Sequence, residues 1–182
     1  IYDTPDTYVG GSDLIEDSLP IFTDDNIIEQ NTFEYIPALY NTFNEILVNA
    51  RDQVIRLEQM KSKNPVTCIK LTINKEDGLI TIYNDGEGID VAEHPTEKDK
   101  EGNSIMIPEM IFGHLLTSTN YEKDEKKIVG GKNGYGAKLT NIFSTYFKLE
   151  TVDISRKLKY SQEFKNNMKD RGKPKVVKYT GK

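Results

Sequence analysis

Apolar residues recur at three- and four-residue steps from Leu39 through Phe43, Ile46, Leu47, Ala50 and Val54 to Leu57. That period lays them on the core face of one helix, which Pro37 opens and which runs to about Met60. Residues 1–36 show no such period; Thr4-Pro5-Asp6 and Gly10-Gly11 mark turns, and an irregular segment is expected there. After the helix the spacing becomes two. Ile69, Leu71 and Ile73 alternate with polar positions, as do Ile80 and Ile82, and the segment Asn74 to Gly78 between them predicts an antiparallel hairpin. The run Asn84-Asp85-Gly86-Glu87-Gly88 ends the second strand.

The polar stretch Glu93 to Ser104 reads as a surface loop, and Pro108 suits the first turn of a short helix through Leu116. A charged segment, Tyr121 to Lys127, and a glycine-rich stretch, Gly130 to Lys138, lead into a helix that reaches about Tyr146. Phe147–Val152 and Leu158–Phe164 predict a second hairpin, and Val176 to Tyr179 is strand-like. No internal repeat is visible. The order of helix, hairpin, helix, helix, hairpin predicts an α+β fold, a two-layer α/β sandwich with helices on one face of a mixed or antiparallel sheet.

At 182 residues the chain is about one domain, long enough to bury a core. No apolar run approaches a membrane span of roughly 20 residues, and no secretory signal opens the chain. The single cysteine, Cys68, excludes an internal disulfide and points to a reducing, intracellular compartment; in its strand-like setting it reads as a packing residue. A net charge of −5 argues against this segment being a main nucleic-acid surface. Lys169 to Lys182, with six basic residues against Asp170, reads as a solvated edge. The chain begins at Ile1 and stops shortly after a strand-like segment, so it is expected to be a piece of a longer protein.

The glycine-rich stretch carries the first chemical signal. Glycines let a ligand approach the backbone closely, and such a loop opening a helix suits a phosphate. It is not a P-loop. Gly131 and Gly136 have the P-loop separation, but Ala137 stands where its lysine belongs, Lys138 comes one place late, and Leu139 replaces the Ser or Thr.

Two upstream groups complete the pattern. Glu45 and Asn49 lie four residues apart on the long helix and share one face. An amide oxygen can ligate Mg²⁺, which prefers hard oxygen donors, and a glutamate can accept a proton from a water attacking a γ-phosphate. Asn84-Asp85-Gly86-Glu87-Gly88 is first of all a turn, but a side-chain acceptor at a strand end can also read the exocyclic amine of adenine. Each group alone could be an exposed polar stripe or a mere turn; the three in this order are a specific combination.

The combination resembles the Bergerat ATP-binding fold of the GHKL superfamily. Longer blocks sharpen the likeness: Pro5 to Gly10, Glu45 to Ala50, Ile111 to Tyr121, Asp124 to Lys127, Gly130 to Leu139 and Asn141 to Ser144 resemble the ATPase domain of eukaryotic-type type IIA DNA topoisomerases over nearly the whole chain. The resemblance implies a GHKL ATPase domain over 1–182, with an N-terminal segment 1–36, a lid 118–138, and the neighbouring transducer domain absent. It implies that Glu45 is the general base, that Asn49 binds ATP through Mg²⁺, and that Asn84 contacts adenine beside Asp85. Ser118, Thr119 and Asn120 would contact sugar and phosphates, and Gly131, Lys132, Asn133, Gly134, Tyr135, Gly136, Ala137 and Lys138 would cover the phosphates. Tyr8 belongs to the segment near which ATP-driven dimerisation occurs in that family.

The implied cofactors are ATP and Mg²⁺, and the implied partners are a second copy, on ATP binding, and double-stranded DNA, both through the full-length enzyme. The implied activity is ATP hydrolysis driving a dimer gate for duplex passage, inside the cell and in the nucleus, with host and viral origin both left open. A transducer lysine contacts the γ-phosphate in that family, so the segment by itself is expected to turn over slowly. Departures are Asn44 for the usual Asp, Thr119 for Ser, Lys132 for Arg, which loses bidentate geometry, and a longer 93–106 loop. His114 reads as a packed residue and His94 as a loop residue; neither forms a metal site. The rival readings are another GHKL ATPase, disfavoured by the Ile111–Tyr121 block, and a non-enzymatic nucleotide-binding module, disfavoured by the presence of Glu45 and Asn49.

Overall fold

The computed structural model of the chain describes residues 3–25, 27–99, 101–114 and 136–181. Its elements run α1 (Pro5–Tyr8), β1 (Ile15–Phe22), β2 (Ile28–Tyr35), α2 (Pro37–Gln59), β3 (Ile69–Asn74), β4 (Leu79–Asn84), β5 (Glu93–Lys98), β6 (Ser104–Met106), α3 (Ile107–Gly113), α4 (Gly136–Ile142), β7 (Tyr146–Asp153), β8 (Leu158–Lys165), β9 (Asp170–Arg171) and β10 (Lys175–Lys178). This is an α+β chain. Among the described residues no helix is long and apolar enough to cross a membrane.

The core lies where strand alternation is strictest. On β7, Leu149, Thr151 and Asp153 are buried, and on β8, Tyr160, Gln162 and Phe164. The antiparallel register sets Leu149 opposite Gln162, Thr151 opposite Tyr160 and Phe147 opposite Phe164, so both sets point to one face. Val91, Leu149 and Tyr160 form one cluster, and Ile142, Phe164 and Met168 another. Phe147 packs against both and joins them. Gly113 touches this core directly, since a Cβ there would come within 2.7 Å of the Phe164 ring. Burial drives the Tyr160 hydroxyl, which donates to Gln162 Oε1 at 2.6 Å, well above its ordinary pKa.

Helix α2 is the longest element. Proline at its first turn costs nothing there, because that N–H has no helical partner. Ala50 and Leu57 are its buried positions. Leu39, expected on the core face, is 61% exposed; the first turn of the helix meets the N-terminal segment through Ala38 and Asn41 instead, which donate to the Gly11 and Val9 carbonyls.

Two expected loops are hairpins. Residues 1–36, read as irregular, hold α1 and the β1–β2 ladder, which pairs Ile15 with Tyr35 through to Phe22 with Ile28. Residues 93–104, read as a surface loop, contain β5, which pairs with β6 from Glu93–Met106 to Lys98–Ser104. His94 therefore stands in a strand, where its Nδ1 accepts the Glu97 N–H at 3.0 Å. Helix α3 ends at Gly113, with His114 extended as its C-cap, and α4 stops at Ile142 rather than near Tyr146.

The described ladders are all antiparallel. Strands β10, β8 and β7 run side by side with β9 added to β8, and β1–β2, β3–β4 and β5–β6 form two-stranded sheets. The described pairings do not join these hairpins into the one sheet expected from the sequence.

Candidate functional site

Helix α2 presents Glu45 and Asn49, both exposed, to a cleft. The same cleft is lined by Asn84 through Gly88 at the end of β4, and by Gly136 and Ala137 at the start of α4. Three groups spread over ninety residues of sequence thus meet in one concavity. Lys138 does not line it: it is 9% exposed, and burial lowers its ammonium pKa. Ser118, Thr119, Asn120, Gly131, Lys132, Asn133, Gly134 and Tyr135 lie outside the described residues, as do the Tyr121–Lys127 segment and the first eighteen residues of the expected 118–138 lid.

The turn after β4 is clamped from both sides. Asp85 accepts the N–H groups of Thr67 (2.7 Å) and Cys68 (2.8 Å), and the Thr67 hydroxyl at 2.5 Å. The Thr67 hydroxyl and these two amides hold its carboxyl below the usual range. Asp85 thus serves the protein's own backbone, and Asn84 is left at the strand end with its Nδ2 donating to the Asp85 carbonyl at 2.9 Å. Gly86 has φ +86°, and a Cβ there would meet the Pro65–Val66 backbone at 2.9 Å. Gly88 is pressed against β7, where a Cβ would overlap Thr151 Oγ1 and the Val152 carbonyl. The room that these glycines provide is therefore filled by neighbouring chain, which explains why the turn needs them.

Strand β7 completes the anchorage. Ile89 donates its N–H to Thr151 Oγ1 at 2.9 Å, and Val91 donates to Asp153 Oδ2 at 2.9 Å. Asp153 is 2% exposed; burial opposes its charge, but the Ser155 hydroxyl, the Arg156 and Val91 N–H groups and the Arg156 guanidinium outweigh it and hold the carboxyl far below its ordinary value.

Several of these partners carry no motif signal. Gln53, one turn beyond Asn49, donates Nε2 to the Glu87 carbonyl at 2.7 Å, and Ser62 donates to Glu87 Oε2 at 2.9 Å. Thr140 of α4 donates its hydroxyl to the Thr42 carbonyl of α2 at 2.8 Å. The i, i+4 spacing of Gln53 from Asn49 is the one clue in the sequence; the others appear only once the chain is folded. His114 is a packed residue as expected, lying between Glu109 Oε1, 3.2 Å from Nε2, and Arg171 Nη1, 3.3 Å from Nδ1.

No protein-family model matches the chain. It is 47% identical over 179 residues to DNA topoisomerase 2 of Plasmodium falciparum, a match that covers 98% of this chain and 12% of that protein. Human DNA topoisomerase 2-alpha is 42% identical over 178 residues, covering 97% of this chain and 11% of that protein. Among solved structures, the ATPase region of Saccharomyces cerevisiae topoisomerase II matches with a TM-score of 0.81 at 42% identity, over 99% of this chain and 45% of that one. The ATPase and transducer domains of DNA topoisomerase II from Balamuthia mandrillaris match with a TM-score of 0.79 at 41% identity, over 97% of this chain and 42% of that one. The chain thus spans 11 to 12% of the length of these curated relatives. With this identity and this backbone match, the chain belongs to the eukaryotic DNA topoisomerase II family and corresponds to part of its ATPase region.

Proposed function

We propose that the chain binds ATP with Mg²⁺ and contributes the water-activating half of an ATPase site that drives duplex passage in a type IIA DNA topoisomerase. The observation that carries this reading is the meeting of Glu45, Asn49, Asn84 and Gly136 in one cleft. On this reading the fold is a GHKL domain over 1–182, a two-layer sandwich with its helices on one face of a mixed sheet.

In this reading Glu45 takes the proton of the attacking water, which general-base catalysis makes more nucleophilic as the bond to phosphorus forms. Asn84 faces the adenine amine, held at the strand end by the clamp on Asp85. Ser118, Thr119, Asn120 and the stretch Gly131–Ala137 supply contacts to sugar and phosphates. The donor set fits Mg²⁺. Asn49 offers a hard amide oxygen beside the space for the phosphates, and among the described residues no group of three or more His, Cys, Asp or Glu forms a self-sufficient metal cage. Held by Asn49, an Mg²⁺ ion would supply neutralisation of charge on the phosphate oxygens. By the same reading the full-length protein dimerises on ATP binding and acts on double-stranded DNA in the nucleus, with little DNA contact from this acidic segment.

Glu45→Gln tests the reading. In a protein extended through the following domain, the variant keeps affinity for a non-hydrolysable ATP analogue and loses turnover; full turnover removes Glu45 from the role of base. The chain by itself hydrolyses ATP much more slowly than the extended protein, and equal rates would remove the next domain's lysine from the site.

A further inference from the structure

We propose that Gly136 and Thr140, one turn apart on α4, are positioning residues for the Glu45 carboxylate, a role that rests on reading Glu45 as the base. The Glu45 side chain lies directly on the Gly136 backbone: a Cβ built on Gly136 would overlap Glu45 Oε2 and Cδ and come within 3.0 Å of its Cγ. Gly136 is helical, so its backbone would accept any residue. Glycine in a helix is unfavourable by about 1 kcal/mol relative to alanine. A Cβ here would have to displace the Glu45 carboxylate, the movable end of an exposed side chain. An exposed glutamate otherwise samples many rotamers; a wall at the start of α4 removes part of that freedom.

Thr140 fixes the wall. Its Oγ1 lies 2.8 Å from the Thr42 carbonyl and 3.1 Å from the Gly136 carbonyl. Thr42 stands three residues before Glu45 on α2, so one hydroxyl joins the helix that carries the base to the turn that confines it. A carbonyl has two lone pairs, so Thr42 can accept this bond in addition to a helical one. Motion of α4 relative to α2 would move Gly136 off Glu45.

The test separates seating of the base from nucleotide binding. In the intact protein that contains this chain, kcat, affinity for a non-hydrolysable ATP analogue and melting temperature are measured for Gly136→Ala, Thr140→Val and Thr140→Ser. A misplacement of about 1 Å costs about 10²-fold in rate, so Gly136→Ala lowers kcat by about that factor, and Thr140→Val, which loosens rather than displaces, by about tenfold. Thr140→Ser keeps the hydroxyl and recovers most of the rate. Analogue affinity changes less than about threefold in both Thr140 variants, because the seat acts on the base and not on the ligand. Wild-type kcat in Thr140→Val, equal losses in the Val and Ser variants, or analogue affinity falling in step with kcat in Thr140→Val each overturns the proposal. Glu45→Gln separates the two levels: turnover in that variant removes the base itself, whereas an inactive Glu45→Gln beside fully active Gly136→Ala and Thr140→Val overturns only the seating.

Discussion

Gln53 of α2 donates its amide to the Glu87 carbonyl across 2.7 Å, joining the helix that carries Glu45 and Asn49 to the turn that follows Asn84. The two elements are 34 residues apart in sequence, and their relative position sets the distance between the proposed metal ligand and the proposed adenine contact. Gln53→Leu keeps the bulk and removes the bond, leaving a half-buried carbonyl short of one partner. The expected cost is about 1 kcal/mol of stability. Analogue affinity falls about fivefold if the same energy is lost from the bound state. Thermal melting and analogue titration of the variant check both.

Asp153 makes stability depend on acid. Its folded pKa lies below the ordinary value of 3.8, so its contribution is fully present above that value and is lost as pH falls through 3.8 towards the folded pKa. Urea midpoints of the wild type therefore drop below about pH 4. Asp153→Asn, which keeps one acceptor oxygen, costs about 2 kcal/mol at neutral pH through lost charge-assisted bonds, and its midpoint falls less steeply in acid. An equally steep acid limb in the variant would assign the loss to other carboxylates.

The elements that were legible in the sequence are those whose apolar residues keep a strict period, which holds for β3–β4 even though its strands are largely exposed. Helix α2 announced itself through its period, and β7–β8 through the alternation that ends in Tyr160, Gln162 and Phe164 inside. The β1–β2 hairpin left no such trace. Both of its strands are exposed at nearly every position, and Pro20, paired with Gln30, argues against a strand unless the strand is an edge. Strand β5 fails for the same reason, with Pro95 and charged neighbours in a two-stranded ladder. The cleft residues Glu45, Asn49, Asn84 and Gly136 were legible because the proposed chemistry calls for their side chains, or the lack of one. Thr67, Thr140 and Thr151 were not, because each acts through one hydroxyl on a group 18, 98 or 62 residues away.

Two glycines separate packing from backbone strain. A methyl at Gly88 would enter Thr151 Oγ1 and the Val152 backbone, neither of which is a flexible tip. Gly88→Ala therefore destabilises by at least about 2 kcal/mol through overpacking. It also breaks the Ile89–Thr151 bond. Gly78, with φ +60° and nothing within 4 Å of a Cβ, loses only about 1 kcal/mol on the same change, the cost of a left-handed backbone for alanine. Calorimetry of the two variants checks the order, and a Gly78→Ala loss equal to that of Gly88→Ala would discount the contact with β7.

Asn49 carries the metal in the proposed mechanism, and the prediction for it differs in kind from that for Glu45. Without the amide oxygen an Mg²⁺ ion would depend on phosphates and water for its ligands, since among the described residues no carboxylate cluster stands in. Asn49→Ala therefore raises the Mg²⁺ concentration for half-maximal analogue binding by at least the roughly tenfold typical of changes around a metal site. Glu45→Gln leaves that concentration unchanged, because the base acts on water and not on the ion. Analogue titrations at stepped Mg²⁺, run on both variants beside the wild type, distinguish the two roles. An unchanged Mg²⁺ requirement in Asn49→Ala would move the ligand elsewhere along the cleft.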